Sequence, residues 1–285
     1  MNSSPWDRLV ATSRLAASEL KASQVSERAG LPGLLDSSAS ALELTGVSRQ
    51  FGALAALSDV NMRIAVGERR AVLGSNGAGK TTLFNLITGD IAATTGRIRF
   101  FGEDVTTLST HERIRLGLRR TYQISLLLNR LSVFDNVFLA CRGTARRRFS
   151  LLRPRSNGAA TEQALRILAA VRLEGVAELD VAALSHGQQR QLEIGMALAG
   201  APRFILFDEP AAGLSPSERE DLVAVLTALP PHIGYIIIEH DLDVALRVST
   251  YVSMMHNGAI FKEGAPEEIE SDPQVQEIYL GGQHA

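Results

Sequence analysis

Eight consecutive residues, Gly74-Ser75-Asn76-Gly77-Ala78-Gly79-Lys80-Thr81, followed by Thr82, match the pattern G-x-x-x-x-G-K-[ST] in full. That spacing suits phosphate binding. Glycines let backbone N–H groups turn inward around phosphate oxygens, and a helix opening at the lysine adds the positive end of its dipole. Lys80 is placed to reach the β- and γ-phosphates of a nucleotide, and the Thr81 hydroxyl to ligate Mg²⁺. The plainer alternative is a glycine-rich strand–helix turn, but a random match is expected in only about three chains per thousand of this composition. The chain has just three lysines among its 29 basic residues, and one of them holds this position.

A second element, Phe204-Ile205-Leu206-Phe207-Asp208-Glu209, is an apolar strand ending in two acids. Alone, such a pair reads as a solvated loop or a helix cap. Downstream of the phosphate motif it reads as carboxylates delivered beside the nucleotide: Asp208 for the Mg²⁺ shell, Glu209 to orient and polarise the attacking water. The guanine-reading element N-K-x-D is absent, because the only lysine after Lys80 is Lys262, in Phe261-Lys262-Glu263. A third element, Leu184-Ser185-His186-Gly187-Gln188-Gln189-Arg190, ends 18 residues before Asp208. Ser185 and the Gly187 backbone at a helix N-terminus would form a second phosphate cradle. The plainer reading is an N-capped helix, since serine is a good cap.

The elements that must hold these residues alternate between strand and helix. Arg69–Gly74 is an apolar strand running into the glycine-rich turn, and Lys80–Thr88 predicts a helix closed by Gly89 at its C-cap. Leu42-Glu43-Leu44, Ala56–Ile64 and Arg97–Phe101 read as strands, as do Phe204–Phe207 and Tyr235–Glu239. Tyr251–Met255, Asn257-Gly258 and Ala259–Lys262 predict a hairpin around a type I′ turn. Residues 108–200 are mostly helical by periodicity, apart from a basic stretch holding Arg146-Arg147-Arg148 and Arg153-Pro154-Arg155. The pattern predicts a mainly parallel α/β core interrupted by a helical insert.

Composition narrows the class. The 285 residues carry a formal charge of −2, are 45% hydrophobic and include one cysteine, Cys141, so an intrachain disulfide or a cysteine metal cluster is excluded. No run approaches the roughly 18 uncharged apolar residues of a membrane span. The near-neutral charge gives no sign of nucleic-acid binding. Residues 1–40 are rich in serine and alanine; Trp6–Arg28 could form a weakly amphipathic helix, but no secretory signal is present, and a mobile extension is the expectation.

Taken together, the motifs resemble those of the ATP-binding cassette (ABC) ATPases across about residues 41–265, with His186 replacing the commoner third-position glycine of the signature LSGGQ. The resemblance implies an α/β P-loop NTPase core with a mainly parallel sheet, a small antiparallel β subdomain, a helical subdomain inserted at about 123–200, and a helical tail over 266–285. It gives roles to further residues. Phe51 matches the aromatic position that stacks on adenine, against plain core packing. Gln123, in Arg120-Thr121-Tyr122-Gln123, matches the glutamine that senses Mg²⁺ and the membrane partner, against an exposed loop amide. His240 matches the histidine that contacts the γ-phosphate. Ala212-Gly213-Leu214-Ser215-Pro216 sits at the D-loop, where Ser215 replaces the usual aspartate.

A finer likeness is to ATPase subunits of branched-chain amino-acid uptake systems and their urea or amide relatives. It rests on Phe51–Leu57, Leu131–Val137, Leu192–Met196, Asp208–Leu214 and Glu277–Gly281; residues 1–40 are not part of that pattern. It implies an ATP-hydrolysing importer subunit, peripheral at the cytoplasmic face of the inner membrane, that uses ATP and Mg²⁺. The implied partners are a second ATPase subunit, transmembrane permease subunits and, indirectly, a periplasmic or lipoprotein solute-binding protein, with no nucleic acid. ATP would lie between two cassettes, Gly74–Thr81, Gln123, Asp208, Glu209 and His240 of one facing Leu184–Gln188 of the other. The alternatives are an exporter's ATPase and a soluble ABC ATPase acting on ribosomes or DNA; the latter usually carries two cassettes or a long coiled coil.

Overall fold

The computed structural model describes residues 40–121, 127–143 and 158–280. The expected Trp6–Arg28 helix, Gln123, both arginine clusters and residues 281–285 lie outside them. The chain divides into two compact units.

The larger unit takes in residues 36–123, 203–212 and 231–285 and carries both sheets. Strands β1 (Ser40–Phe51), β2 (Leu54–Ala65), β4 (Thr95–Phe100) and β5 (Glu103–Asp104) form a four-stranded antiparallel sheet in the order β2-β1-β4-β5. The second sheet has six strands. Its order is β10-β9-β3-β8-β7-β6, with β3 at Arg69–Gly74, β6 at Leu118–Arg120, β7 at Phe204–Asp208, β8 at Gly234–Ile238, β9 at Tyr251–His256 and β10 at Ala259–Gly264. All pairings from β6 to β9 are parallel. The sequences of β7 and β8, FILFD and GYIII, are buried along their full length. Continuous apolar runs of this kind suit strands covered on both faces. The hairpin of β9 and β10 turns at Asn257 and Gly258, with φ of 47° and 78°, the left-handed pair that a type I′ turn needs.

The phosphate motif leaves the C-terminal end of β3, a position typical of ligand sites in parallel sheets. The helix that follows, Lys80–Thr88, buries Leu83, Phe84, Leu86 and Ile87 in a core shared with Leu42, Val60, Ile64, Phe204 and Ile236. Its far end is doubly tied. Gly89 closes it in the left-handed conformation, donating its N–H to the Leu86 carbonyl. The buried Arg113 guanidinium donates to the carbonyls of Leu86 (2.6 Å) and Ile87 (2.7 Å), and to those of Leu108 and Thr106. Carbonyls that the helix cannot satisfy internally thus find a charged donor.

The smaller unit takes in residues 124–202 and 213–230, so it extends beyond the 123–200 segment to include the Pro216–Thr227 helix. Its other helices are Val133–Gly143, Ala159–Ala170 and His186–Leu198. Its core holds Val133, Val137, Ile167, Leu168, Val171, Leu192 and Ile194. The fully buried Asn136 stitches the start of the unit. It accepts from the Leu128 N–H and donates to the carbonyls of Leu128 and Ser132, so no arm of its amide is wasted.

Candidate nucleotide site

Ser75, Asn76 and Gly77 are exposed, whereas Gly74, Ala78 and Lys80 are buried, so the motif presents its loop and anchors its ends. Gly79 has φ of 100°, and a Cβ there would come within 2.8 Å of both the Ala56 carbonyl oxygen and a Leu57 methyl. Only glycine fits both demands. The Lys80 ammonium folds over the loop and donates to the carbonyls of Gly74 (2.7 Å) and Ser75 (3.0 Å). Burial lowers its pKa, and the nearby carboxylates of Glu209 and Asp208 pull it partly back. Thr81 and Thr82 stand in the first helical turn, with Thr81 exposed.

Strand β7 ends at Asp208, which is 2% exposed. Its Oδ2 accepts a 2.8 Å bond from Arg120, whose other arm donates to Asn85 (2.6 Å) and Asp90 (3.1 Å). The second oxygen, Oδ1, is buried and has no hydrogen-bond partner among the described residues. A buried carboxylate oxygen left bare calls for a cation or a water. The exposed Thr81 hydroxyl, next to Lys80 in the chain, is a second hard oxygen donor. Among the described residues no group of three or more His, Cys, Asp or Glu is placed to hold a metal ion. These two donors fit Mg²⁺, which keeps waters and takes phosphate oxygens rather than a full protein cage.

Glu209 follows in the left-handed region, at φ of 49°, an uncommon conformation for a side-chain-bearing residue and one that recurs at functional sites. Its Oε1 lies 2.7 Å from His240 Nε2. Next to this pair, Glu239 is buried and accepts from the N–H groups of Ala211 (2.7 Å) and His240 (3.2 Å). Burial nevertheless pushes its carboxyl up to about 7, with the charge on Glu209 adding to the rise. Phe51 ends β1 with its ring 45% exposed, and the Arg49 guanidinium lies 4.4 Å above the ring centre. A side chain that open is not buried in the core, and the Arg49 guanidinium covers one face of its ring.

The signature residues belong to the smaller unit. Ser185 caps the His186–Leu198 helix, accepting from the Gln188 N–H (3.2 Å) while Gln188 reaches back to the Ser185 N–H (3.0 Å). Ser215 caps the Pro216–Thr227 helix in the same way, with Glu218 as its partner. The departure from aspartate at position 215 therefore keeps the capping function. Sequence reasoning did not single out Arg120, Glu218 or Glu239. Glu218 had a local signal, the S-x-x-E spacing from Ser215; the other two act through contacts made only in the fold.

The ABC transporter family model matches residues 57–212, more than half of the chain. The chain belongs to the ABC transporter family. The tail of this cassette, residues 263–285, matches a second model, that of the branched-chain amino acid ATP-binding cassette transporter. The high-affinity branched-chain amino acid transport ATP-binding protein BraF of Pseudomonas aeruginosa is 35% identical over 248 residues, covering 84% of this chain and 97% of that protein. The lipopolysaccharide export system ATP-binding protein LptB of Acidithiobacillus ferridurans is also 35% identical, covering 79% of this chain and 90% of that one. Among solved structures, the ADP conformation of MJ1267, an ATP-binding cassette of an ABC transporter, superposes with a TM-score of 0.75 at 32% identity, covering 85% of this chain and 99% of that one. The α/β P-loop core inferred from the motifs is thus the fold of the cassette's relatives.

Proposed function

We propose that this cassette is the ATP-hydrolysing subunit of an importer for branched-chain or other hydrophobic amino acids, or a related small solute, and drives separate permease subunits. The observation that carries the direction of transport is the match of residues 263–285 to the branched-chain family, which favours import over the export role of LptB. Residues 41–265 form the ATPase domain and 266–285 its tail. Among the described residues no helix is long and apolar enough to cross a membrane. In this reading the cassette works at the cytoplasmic face through its permease, closing on a second cassette.

The reaction is in-line attack of water on the γ-phosphate, so the protein contributes position and charge. Backbone N–H groups of Ser75–Gly79 hold the β-phosphate, and Lys80 exchanges its two loop carbonyls for phosphate oxygens. Glu209, steadied by His240, holds the attacking water and accepts its proton. Thr81, Gln123 and Asp208 would hold Mg²⁺, which neutralises phosphate charge when bound. Phe51 offers its face to adenine. Leu184–Gln188 of the second cassette donate to the γ-phosphate.

Isolation of the intact membrane complex tests this reading. Permease chains and a solute-binding protein should co-purify, and cells lacking the cassette should lose uptake of labelled leucine or of a related small solute. Unimpaired uptake with a defect in lipid export would favour the LptB-like role instead.

A further inference from the structure

The donors at the signature are already in use. The Ser185 hydroxyl donates to Glu218 Oε1 at 2.9 Å, and the Gly187 N–H donates to the same oxygen at 2.8 Å. The other carboxylate oxygen, Oε2, accepts from the Ser215 hydroxyl (2.8 Å) and the Ser215 N–H (3.0 Å). A serine hydroxyl has one proton to give, and that of Ser185 goes to Glu218. The seat is shaped for this side chain, since a Cβ on Gly187 would come within 2.7 Å of Glu218 Cγ and 2.9 Å of its carboxyl carbon. Four donors hold the carboxylate well below its ordinary range, at about 2, so it stays charged at any physiological pH.

We propose that Glu218 is an internal anion that occupies the signature's phosphate-binding donors and must be displaced by the γ-phosphate when two cassettes close on ATP. The inference rests on the two-cassette reading above. Carboxylate and phosphate compete for the Ser185 hydroxyl and the Gly187 N–H, and two anions at that distance repel. Closure therefore requires the Glu218 side chain to swing off the helix end while Ser215 retains or releases it. The device opposes dimerisation at low ATP and keeps the signature donors ordered until the phosphate arrives. It also accounts for glycine at 187 even though His186 replaces its neighbouring glycine: the carboxylate needs the room.

The test uses the full chain carrying Glu209→Gln to stop turnover, with dimer formation followed by sedimentation across an ATP titration. Adding Glu218→Gln removes the charge and keeps the shape, so the ATP concentration for half-maximal dimer should fall at least fivefold. Glu218→Asp, one methylene shorter, should lower it as well, and it is the variant to read if the glutamine form fails to melt cooperatively. A midpoint that is unchanged or raised overturns the proposal and makes Glu218 a mere support for Ser185. A Glu209→Gln parent that stays monomeric in saturating ATP overturns the two-cassette reading and this inference together.

Discussion

Arg120 takes one oxygen of Asp208 and leaves the other bare: the guanidinium donates to Oδ2 at 2.8 Å, and Oδ1 accepts nothing among the described residues. Both side chains are almost fully buried, at 6% and 2% exposure. Removing one partner of a buried ion pair strands the other charge, typically at a cost of about 3 kcal/mol or more. Arg120→Gln should therefore lower the melting temperature by about 6 °C or more in the nucleotide-free protein. Arg120→Lys, which keeps the charge and loses the fork, should recover part of that. A melting temperature unchanged in the glutamine variant would show that Asp208 does not depend on this pair.

Glu209→Gln should bind ATP with near-normal affinity and lose turnover by about a hundredfold or more, the range of a positioned general base. Phosphate release under single-turnover conditions measures it, and a rate within about twofold of the parent would remove Glu209 from that role. The same position stores backbone strain at φ of 49°. Glu209→Gly should thus melt no lower than the parent while remaining inactive.

Lys80→Ala should reduce ATP affinity by tenfold or more, because the phosphates lose a charge already held over the loop at 2.7 Å from the Gly74 carbonyl. Titration calorimetry reads this directly. Normal affinity in the alanine variant would contradict the assignment of Gly74–Thr81 to phosphate binding.

Phe51→Ala should weaken ATP binding by about tenfold, since stacking of a base on an aromatic face is worth about 1–3 kcal/mol. Phe51→Tyr should not weaken it. Because the ring is 45% exposed, the melting temperature should stay within a degree or so in both variants. A large loss of stability with unchanged affinity would return Phe51 to a packing role.

Glu239 gives a pH dependence whose sign is fixed by its raised pKa, about 7 in the fold against 4.5 as the ordinary value. The folded state binds this proton more tightly than the unfolded chain does. Its contribution to stability is complete below about pH 4.5 and is lost as pH rises through 7, a change on the order of 3 kcal/mol. Chemical denaturation from pH 4.5 to 8 should show that decline, and Glu239→Gln should flatten it. An identical slope in the variant would place the titration elsewhere.

Local signals in the sequence carried much of the fold. The Lys80–Thr88 helix and its Gly89 cap follow from a glycine turn and an apolar stripe, and the Asn257-Gly258 turn from two residues that tolerate positive φ. Strands β5 and β6 escaped notice because two or three residues cannot show a period. The phosphate motif was legible because every one of its residues is adjacent in the chain. Arg120 and Glu239 were not, since Asp208 and Ala211, which they bond, lie far from them in the chain, and a partner that distant leaves no trace in local spacing. At Ser185 the capping and phosphate readings looked like rivals. In the structure the Ser185 hydroxyl caps its helix by accepting from Gln188 while its proton goes to Glu218, so capping does not use up the donor.

Strand β3, which delivers the phosphate loop, lies between β8 and β9: Arg70 is in register with Ile236 on one side and with Tyr251 on the other. Both neighbours come from near the opposite end of the chain. During synthesis, when segments emerge in order, one edge of the loop-bearing strand waits for Gly234–Ile238 and the other stays open until Tyr251–His256 has left the ribosome. ATP thus has no finished pocket to enter on a nascent chain, and any chain cut short before β9 leaves an apolar strand exposed to aggregation. The phosphate loop is thus completed by a strand made about 180 residues after it, Arg70 pairing with Tyr251.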